Sequence, residues 1–455
     1  MLSGIEKFGR RPNLRKEWTE LTPAERREER FRQWLSLSYA KFASESAEKA
    51  YQQRVKRLID VIKLNKPDRV PVMYPITLFP AYYAKSNLQQ VMYDYNLLRR
   101  AWLKFIDEFE MDIYAGPAVV SPGRMFDNLD YKLFYWPGHG INANASSYRF
   151  AEGEYMKADE YDALIEDPSD FWLRVYMPRI FGAFKPFQQL NPFTSIIEIP
   201  TGYFVPYTRP DVRSALKALL DAGQEVAEWM KAVADCDQRA LSIGIPSLRG
   251  SFTKAPFDII GDAMRGTRGI MLDMYQRPDK LIEAMEKITP LAIKTAVDSV
   301  NNANGMVITI PLHKGADGFM SRQQFDTFYW PTLKKVILGI VAEGIVPVLF
   351  AEGSYNTRLE TVSELPGASV IWWFDQTDMA RAKSILGGAT CIAGNVPSSL
   401  LCTGTPRDVK AYCRKLIELC SKGGGYILTG GAVIDEANPD NLRALMEASK
   451  EYGVY

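Results

Sequence analysis

The sequence predicts an α/β fold: a (β/α)8 TIM barrel with a helical N-terminal extension and a long aromatic-rich insertion after the second strand. Three observations carry that expectation. Short apolar runs closing on polar or glycine residues recur along the chain, with the length of strands buried on both faces. Helical patterns with clear start and stop signals separate them. The alternation continues over most of the 455 residues with no fixed-period repeat, which favours parallel strands wrapped by helices over a sandwich or a bundle.

Taken in order, residues 1–20 are charged and unpatterned and read as an arm. Thr22 and Glu25 form a capping box with Pro23 at the first helical position, so a helix begins there and runs through Phe31, Trp34, Leu35 and Leu37. A second helical stretch covers 47–64 and ends near Pro67. Residues 1–66 are therefore expected to form a helical extension, packed on the barrel or on a neighbouring subunit, and 67–455 the barrel. Residues 69–74 read as the first strand and 111–115 as the second. From Gly116 to about Asp235 the pattern turns irregular. Tyr131, Phe134, Tyr135, Trp136 and Tyr148 crowd one part; Phe184, Phe187, Phe193, Tyr203, Phe204 and Tyr207 crowd another. A region of this length between strands is either a lid or binding wall, or a subdomain with its own small core.

Residues 243–246 open the third strand, 255–257 begin the helix after it, and 306–312 form the fourth strand. The fifth to seventh lie in 345–353, 369–375 and 391–397, and 425–431 supplies the eighth. Thr405-Pro406 starts a helix that stops at Lys422-Gly423, and Asn438-Pro439 starts the last, which ends at Gly453.

A net charge of +1 speaks against a nucleic-acid footprint or attraction to an anionic membrane. No apolar run approaches the roughly eighteen residues of a membrane span, and the start lacks an apolar signal core, so a cytoplasmic protein is expected. None of the five cysteines forms a Cys-x-x-Cys pair, which argues against a zinc ribbon or dithiol site. Cys413 and Cys420 share a helix face with Val409, Leu416 and Ile417 and read as small buried hydrophobes.

In a barrel of parallel strands, polar residues at the carboxyl ends line the mouth. Glu352, Asp375 and Asn395 hold those positions after the fifth, sixth and seventh strands, and His313, Lys314 and Asp317 follow the fourth. Glu352, His313 and Asp375 are the catalytic candidates. Tyr74, Tyr114, Arg249, Lys314, Asp317, Phe350, Trp372 and Asn395 are the candidates for holding substrate. Each has a plainer reading: Glu352 bonds its own loop, Asp375 caps the next helix, His313 is structural, and Asn395 braces the loop after the seventh strand. The glycines at 423–425 and 430–431 lack the Lys-Ser/Thr of a P-loop and read as turns.

The segment Gly394-Asn395-Val396-Pro397, followed by Leu400-Leu401 and Gly404-Thr405-Pro406, resembles a signature of the uroporphyrinogen decarboxylase superfamily. That superfamily holds the decarboxylase and methyltransferases that exchange methyl groups with corrinoid (cobalamin) proteins. Met320-Ser321-Arg322-Gln323-Gln324-Phe325, running to Trp330-Pro331, is similar to its Leu-Ser-Pro-x-x-Phe element. The run from Gly425 to Gly431 and on to Asn438-Pro439-Asp440-Asn441-Leu442 resembles its last strand and closing helix. The resemblance covers about 242–455 and is thin over 71–120.

Members that act on thiols bind zinc through His-x-Cys and a later Cys. The matching positions here are Phe350, Glu352 and Ala432, so no zinc is expected. The decarboxylase presents arginines after its first strand; residues 73–80 here contain none, although Arg249 and Lys254 follow the third strand. The Asp-x-His-x-x-Gly loop of corrinoid-binding modules is absent, and His139 and His313 are the only histidines, so any corrinoid must arrive on a separate protein. The resemblance thus implies a methyltransferase of one-carbon metabolism, moving a methyl group from a small methylated donor, methoxy-aromatic or methylamine, to a corrinoid protein. Glu352, between Phe350 and Trp372-Trp373, is the expected acid, raised by an apolar pocket to protonate the leaving oxygen, with His313 second. Two alternatives stand beside it: a decarboxylase or lyase on the same barrel, and a non-catalytic binding protein. A homo-oligomer through the N-terminal extension is a further expectation; nucleic acid and membrane are not expected partners.

Overall fold

The computed structural model describes residues 17–37, 40–247 and 252–455. Its strands in chain order are β1 (Val72–Met73), β2 (Phe134–Pro137), β3 (Gly140–Ile141), β4 (Arg149–Phe150), β5 (Val307–Leu312), β6 (Val346–Ala351), β7 (Ile371–Phe374), β8 (Cys391–Ala393) and β9 (Tyr426–Thr429). Six form one curled parallel sheet in the order β1-β9-β8-β7-β6-β5, and β3-β2-β4 form a small sheet in the insertion. Beyond β1 and β5 the curl continues only through single parallel bridges, Met73–Ile113, Tyr114–Ser247 and Phe252–Thr309. Six of the eight expected strands are therefore present as such among the described residues. The second and third are reduced to bridges, and Pro246 supplies one reason. Its carbonyl accepts from Tyr114 N at 2.8 Å, but it has no N–H to continue a ladder.

The strands are buried on both sides. Met73, Val348, Phe350, Trp373, Ala393 and Ile427 belong to one inner cluster. Tyr74, Leu349, Trp372, Phe374, Ile392 and Tyr426, their neighbours in sequence, belong to the cluster shared with the surrounding helices. Successive side chains of a strand point to opposite faces. Parity therefore decides which residues can reach the interior.

The extension forms helices Pro23–Ser36 and Glu45–Ile62, with Thr22 and Glu25 capping reciprocally. It closes the amino-terminal end of the sheet. Arg26 donates to the Ala342 carbonyl and to Glu343, Arg30 reaches Asn301, and Phe31, Tyr51 and Val55 join the inner cluster beside Met306 and Val307. Its apolar face is thus occupied by this chain's own sheet. Arg57, on the second of these helices, bonds Asp112 at 2.5 Å; Asp112 also accepts from Arg69 at 2.8 Å and from Val72 N at 2.7 Å, and is fully buried. Asp112→Ala leaves two guanidinium groups facing an apolar gap. Breaking such a cluster costs about 3–5 kcal/mol, and denaturant unfolding of the variant should show a loss of that size.

The insertion has a core of its own, built from Leu129, Phe184, Phe187, Leu190, Val212 and Ala215. It is also sewn to the rim: Ser147 Oγ donates to Asp435 at 3.4 Å, Tyr82 OH to the Ser146 carbonyl at 2.5 Å, and Arg265 to the Met156 carbonyl at 2.7 Å. The irregular stretch ends earlier than expected, because helix Pro210–Ser242 runs across residue 235 and returns the chain to the sheet. The later caps form as the sequence signals: Thr405 with Asp408 for Pro406–Cys420, and Asn438 for Pro439–Tyr452. Cys413 and Cys420 are buried beside Val409, Leu416 and Ile417, and all five cysteines are free. No helix among the described residues is long and apolar enough to cross a membrane.

Candidate functional site

The site is built around the chain just past β5. Helix Pro256–Ala263 places Asp258 and Asp262 four residues apart, hence on one face. Fully buried Asp258 accepts from the backbone N–H of His313 at 3.1 Å and of Lys314 at 3.0 Å, and from Tyr329 OH at 2.6 Å. These bonds hold the β5 terminus in place. Asp262 then accepts from His313 Nδ1 at 2.6 Å, Lys254 Nζ at 2.7 Å and Lys314 Nζ at 3.0 Å. With Nδ1 committed to Asp262, Nε2 of His313 faces Glu352, 3.5 Å from Oε1.

The charges reinforce one another. Burial pulls the His313 ring down, but the carboxylates of Asp262 and Glu352 outweigh it and raise the imidazole to about 9. His313 is therefore a cation at neutral pH. Burial would raise Asp262, yet His313 and Lys254 hold it well below the ordinary carboxylate range. Burial, with Asp262 nearby, pushes Asp258 up to about 6.

Glu352 projects from the inner side of β6, two residues past Phe350, and its side chain is 40% exposed. That exposure corrects the expectation of an apolar pocket around it. Gly353 turns the chain with φ +78°, and its N–H donates to Asp375 Oδ2 at 3.0 Å. Burial raises Asp375; the Gly353 bond opposes the shift, and Glu352 adds to it. Asp378, not Asp375, caps helix Met379–Leu386. Asn395 Nδ2 donates to the carbonyls of Asp375 and Thr377, each at 2.9 Å, so it braces that loop. The preceding Gly394 is required by space, because a Cβ there would lie 2.6 Å from the Phe374 carbonyl oxygen. A cleft of about 810 Å³ opens beside these residues, lined by Asp375, Gln376, Asn395 and Ala432 among others.

The remaining candidates divide. Lys314 lies on Asp262, and Asp317 joins two loops by accepting from Ser354 Oγ at 2.8 Å and Thr357 Oγ1 at 2.7 Å. Phe350 faces inward and stacks on Trp373, ring centroids 3.7 Å apart. Trp372 does not reach the interior; it packs among the helices, and Trp373 takes the inner place. Tyr74 likewise points outward, its OH bonding the Leu442 carbonyl at 2.6 Å. Tyr114 is buried in the helix-facing cluster, with Asp237 of the long helix among the charges near its hydroxyl. Parity corrects all three assignments. Arg249 lies outside the described residues.

At the positions of the zinc ligands, Phe350 is committed to its stack and Ala432 carries no donor. Among the described residues, no group of three or more His, Cys, Asp or Glu side chains is disposed to hold a metal ion. These residues do not fit zinc. Asp258, Asp262, Lys254 and Tyr329 carry the site's electrostatics without having been singled out in the sequence. One signal for them was present: two aspartates at helical spacing directly behind Pro256, after a strand.

Comparison with known proteins places the chain. The family model described as "Uroporphyrinogen decarboxylase (URO-D)" matches residues 205–452, reaching back through the long helix beyond the motif-bearing residues. A uroporphyrinogen decarboxylase from Chlorobium luteolum is 26% identical over 247 residues, 53% of this chain and 67% of that protein. One from Flavobacterium johnsoniae is 22% identical over 293 residues, 63% and 77% of the two chains. A methyltransferase from Methanosarcina mazei superposes with a TM-score of 0.55 at 15% identity, over 89% of this chain and 98% of that one, so the two share a fold. With three motifs in order and more than half of its length matched, this chain belongs to the uroporphyrinogen decarboxylase family.

Proposed function

We propose that this chain is a methyltransferase that moves a methyl group from a small methylated donor, a methoxy-aromatic or a methylamine, to a corrinoid carried by a separate protein. The observation that carries the reading is the Asp262–His313–Glu352 row, an acid held protonated at the open mouth. When an aryl methyl ether is cleaved, the C–O bond breaks, the methyl group leaves for the corrinoid, and the electron pair stays on oxygen. That phenolate has a conjugate acid of pKa about 10. His313, at about 9, is matched to it within roughly one unit, the condition for efficient general acid catalysis. His313 supplies the proton, and the more exposed Glu352 passes it to the leaving oxygen. Phe350 and Trp373 floor the cavity with aromatic surface suited to a planar donor.

A decarboxylase is the second reading, favoured by the names of the sequence relatives. A substrate with several carboxylates needs several cations, whereas Lys254 and Lys314 are both engaged by Asp262. We take the bridges at Ile113, Tyr114, Ser247 and Phe252 as the second and third strands of a closed barrel, and residues 67–455 as one barrel carrying the insertion as its wall. The free cysteines suit a cytoplasmic setting. The deciding experiment incubates the protein with a corrinoid protein and a panel of methoxy-aromatics and methylamines, and follows the corrinoid absorbance. A donor-dependent change is expected. Carbon dioxide release from a carboxylated substrate, with no corrinoid response to any donor, would establish the second reading instead.

A further inference from the structure

We propose that the outer face of helix Pro210–Ser242 is a self-association surface on which a second copy of this chain packs, the two helices antiparallel. The inner side of this helix is accounted for: Val212, Ala215, Ala222, Ala232, Cys236 and Ala240 are buried against the insertion and the rest of the chain. A helix on the outside of such a fold is expected to be polar on its other side. Here Leu216, Leu220, Gly223, Ala227, Met230 and Ala234 follow one another in steps of four and three, the spacing of a coiled-coil seam. Leu220 is 73% exposed and Met230 57%, and a Cβ built on Gly223 meets nothing within 4 Å.

The seam is close to a palindrome. Reversed about the point midway between Gly223 and Ala227, it sets Leu220 against Met230 and Gly223 against Ala227. Large side chains then meet on either side of a small-residue centre where two helices can approach closely. Self-complementarity of this kind is what an isologous two-fold contact requires. The flanking cations Lys217 and Lys231 are each neutralised on their own helix, by Asp221 and Glu228 at 2.6 Å, so no uncompensated like charge lies beside the seam. The chain leading into the helix adds Ile197, Ile199, Phe204 and Val205, from 55% to 84% exposed. With the seam they offer apolar area on the order of the ~800 Å² per partner that a stable interface buries, and an exposed patch of that size marks an interaction surface. This face is distinct from the N-terminal extension, whose apolar side lies on its own sheet.

The test is the solution mass of the full chain over a concentration series, by sedimentation or light scattering. Twice the 51.4 kDa of one chain is expected for the wild type, with a melting temperature that rises with concentration. The double variant Leu220→Lys/Ala227→Glu changes only exposed positions of the helix. It should have the mass of one chain, an unchanged circular dichroism spectrum and a concentration-independent melt. A wild type with the mass of one chain at every concentration overturns the proposal, and so does a double variant that keeps the mass of two.

Discussion

Glu352→Gln is expected to slow methyl transfer from an aryl methyl ether at least a hundredfold while leaving the fold intact. The side chain is 40% exposed, and its charged neighbour is His313 Nε2 at 3.5 Å, so an isosteric amide removes a charge without opening a cavity. Loss of an acid that protonates a leaving group costs on the order of 10² to 10⁴ in rate. The loss should be smaller for a quaternary ammonium donor, whose amine leaves neutral and needs no proton. The pH profile provides an independent readout. Because the reaction uses the imidazolium form, the wild-type rate should hold through neutral pH and fall as His313 titrates near 9. In the Gln variant one of the two carboxylates sustaining that cation is gone, so the falling limb should move to lower pH. If Glu352 only braced the loop leading to Asn356, turnover would fall equally for both donor classes, stability would drop, and the limb would not move.

Asp262→Asn should have the largest effect on stability at the site. The carboxylate is the common partner of Lys254, Lys314 and His313, all within 3.0 Å. Without it, cations gather around a neutral amide. Removing one partner from a buried ionic cluster costs about 3–5 kcal/mol; with His313 and Lys254 partly open to solvent, about 3 kcal/mol is expected. The cost should follow pH in a defined way. His313 has a folded value raised above the ordinary ~6.5, so its stabilisation is complete below about 6.5 and is lost as pH rises through 9. Asp262 has a depressed value, so its stabilisation is present above the ordinary ~3.9 and lost as the pH falls below that. The gap between wild type and variant should therefore be widest between about pH 4 and 6.5 and narrow above 9. Unfolding curves at pH 5.5, 7.5 and 9.5, chosen to straddle that window, measure it. A gap of constant size would mean that Asp262 acts through packing, not through charge.

The local signals in the chain were sufficient for much of this architecture. Capping boxes at Thr22 and Thr405, Asn438 before Pro439, and the apolar runs at β5 to β9 each depend on a few adjacent residues, and each element formed where those residues stand. The motif around Asn395 and the polar ends of β6 and β7 likewise marked the right end of the sheet. What the tertiary structure alone decided has two physical sources. Strands covered on both faces are apolar at every position, so the two-residue period that separates inside from outside is silent in the sequence. Hence Trp372 and Trp373, or Met73 and Tyr74, were indistinguishable until the sheet curled. The other source is distance along the chain. Asp262 and Glu352 lie on opposite sides of His313 in sequence, and only packing helix Pro256–Ala263 against the end of β5 brings all three into one row. The insertion belongs to the same class: its aromatic residues suit a lid and a small core equally, and the choice rests on which of them find one another in space.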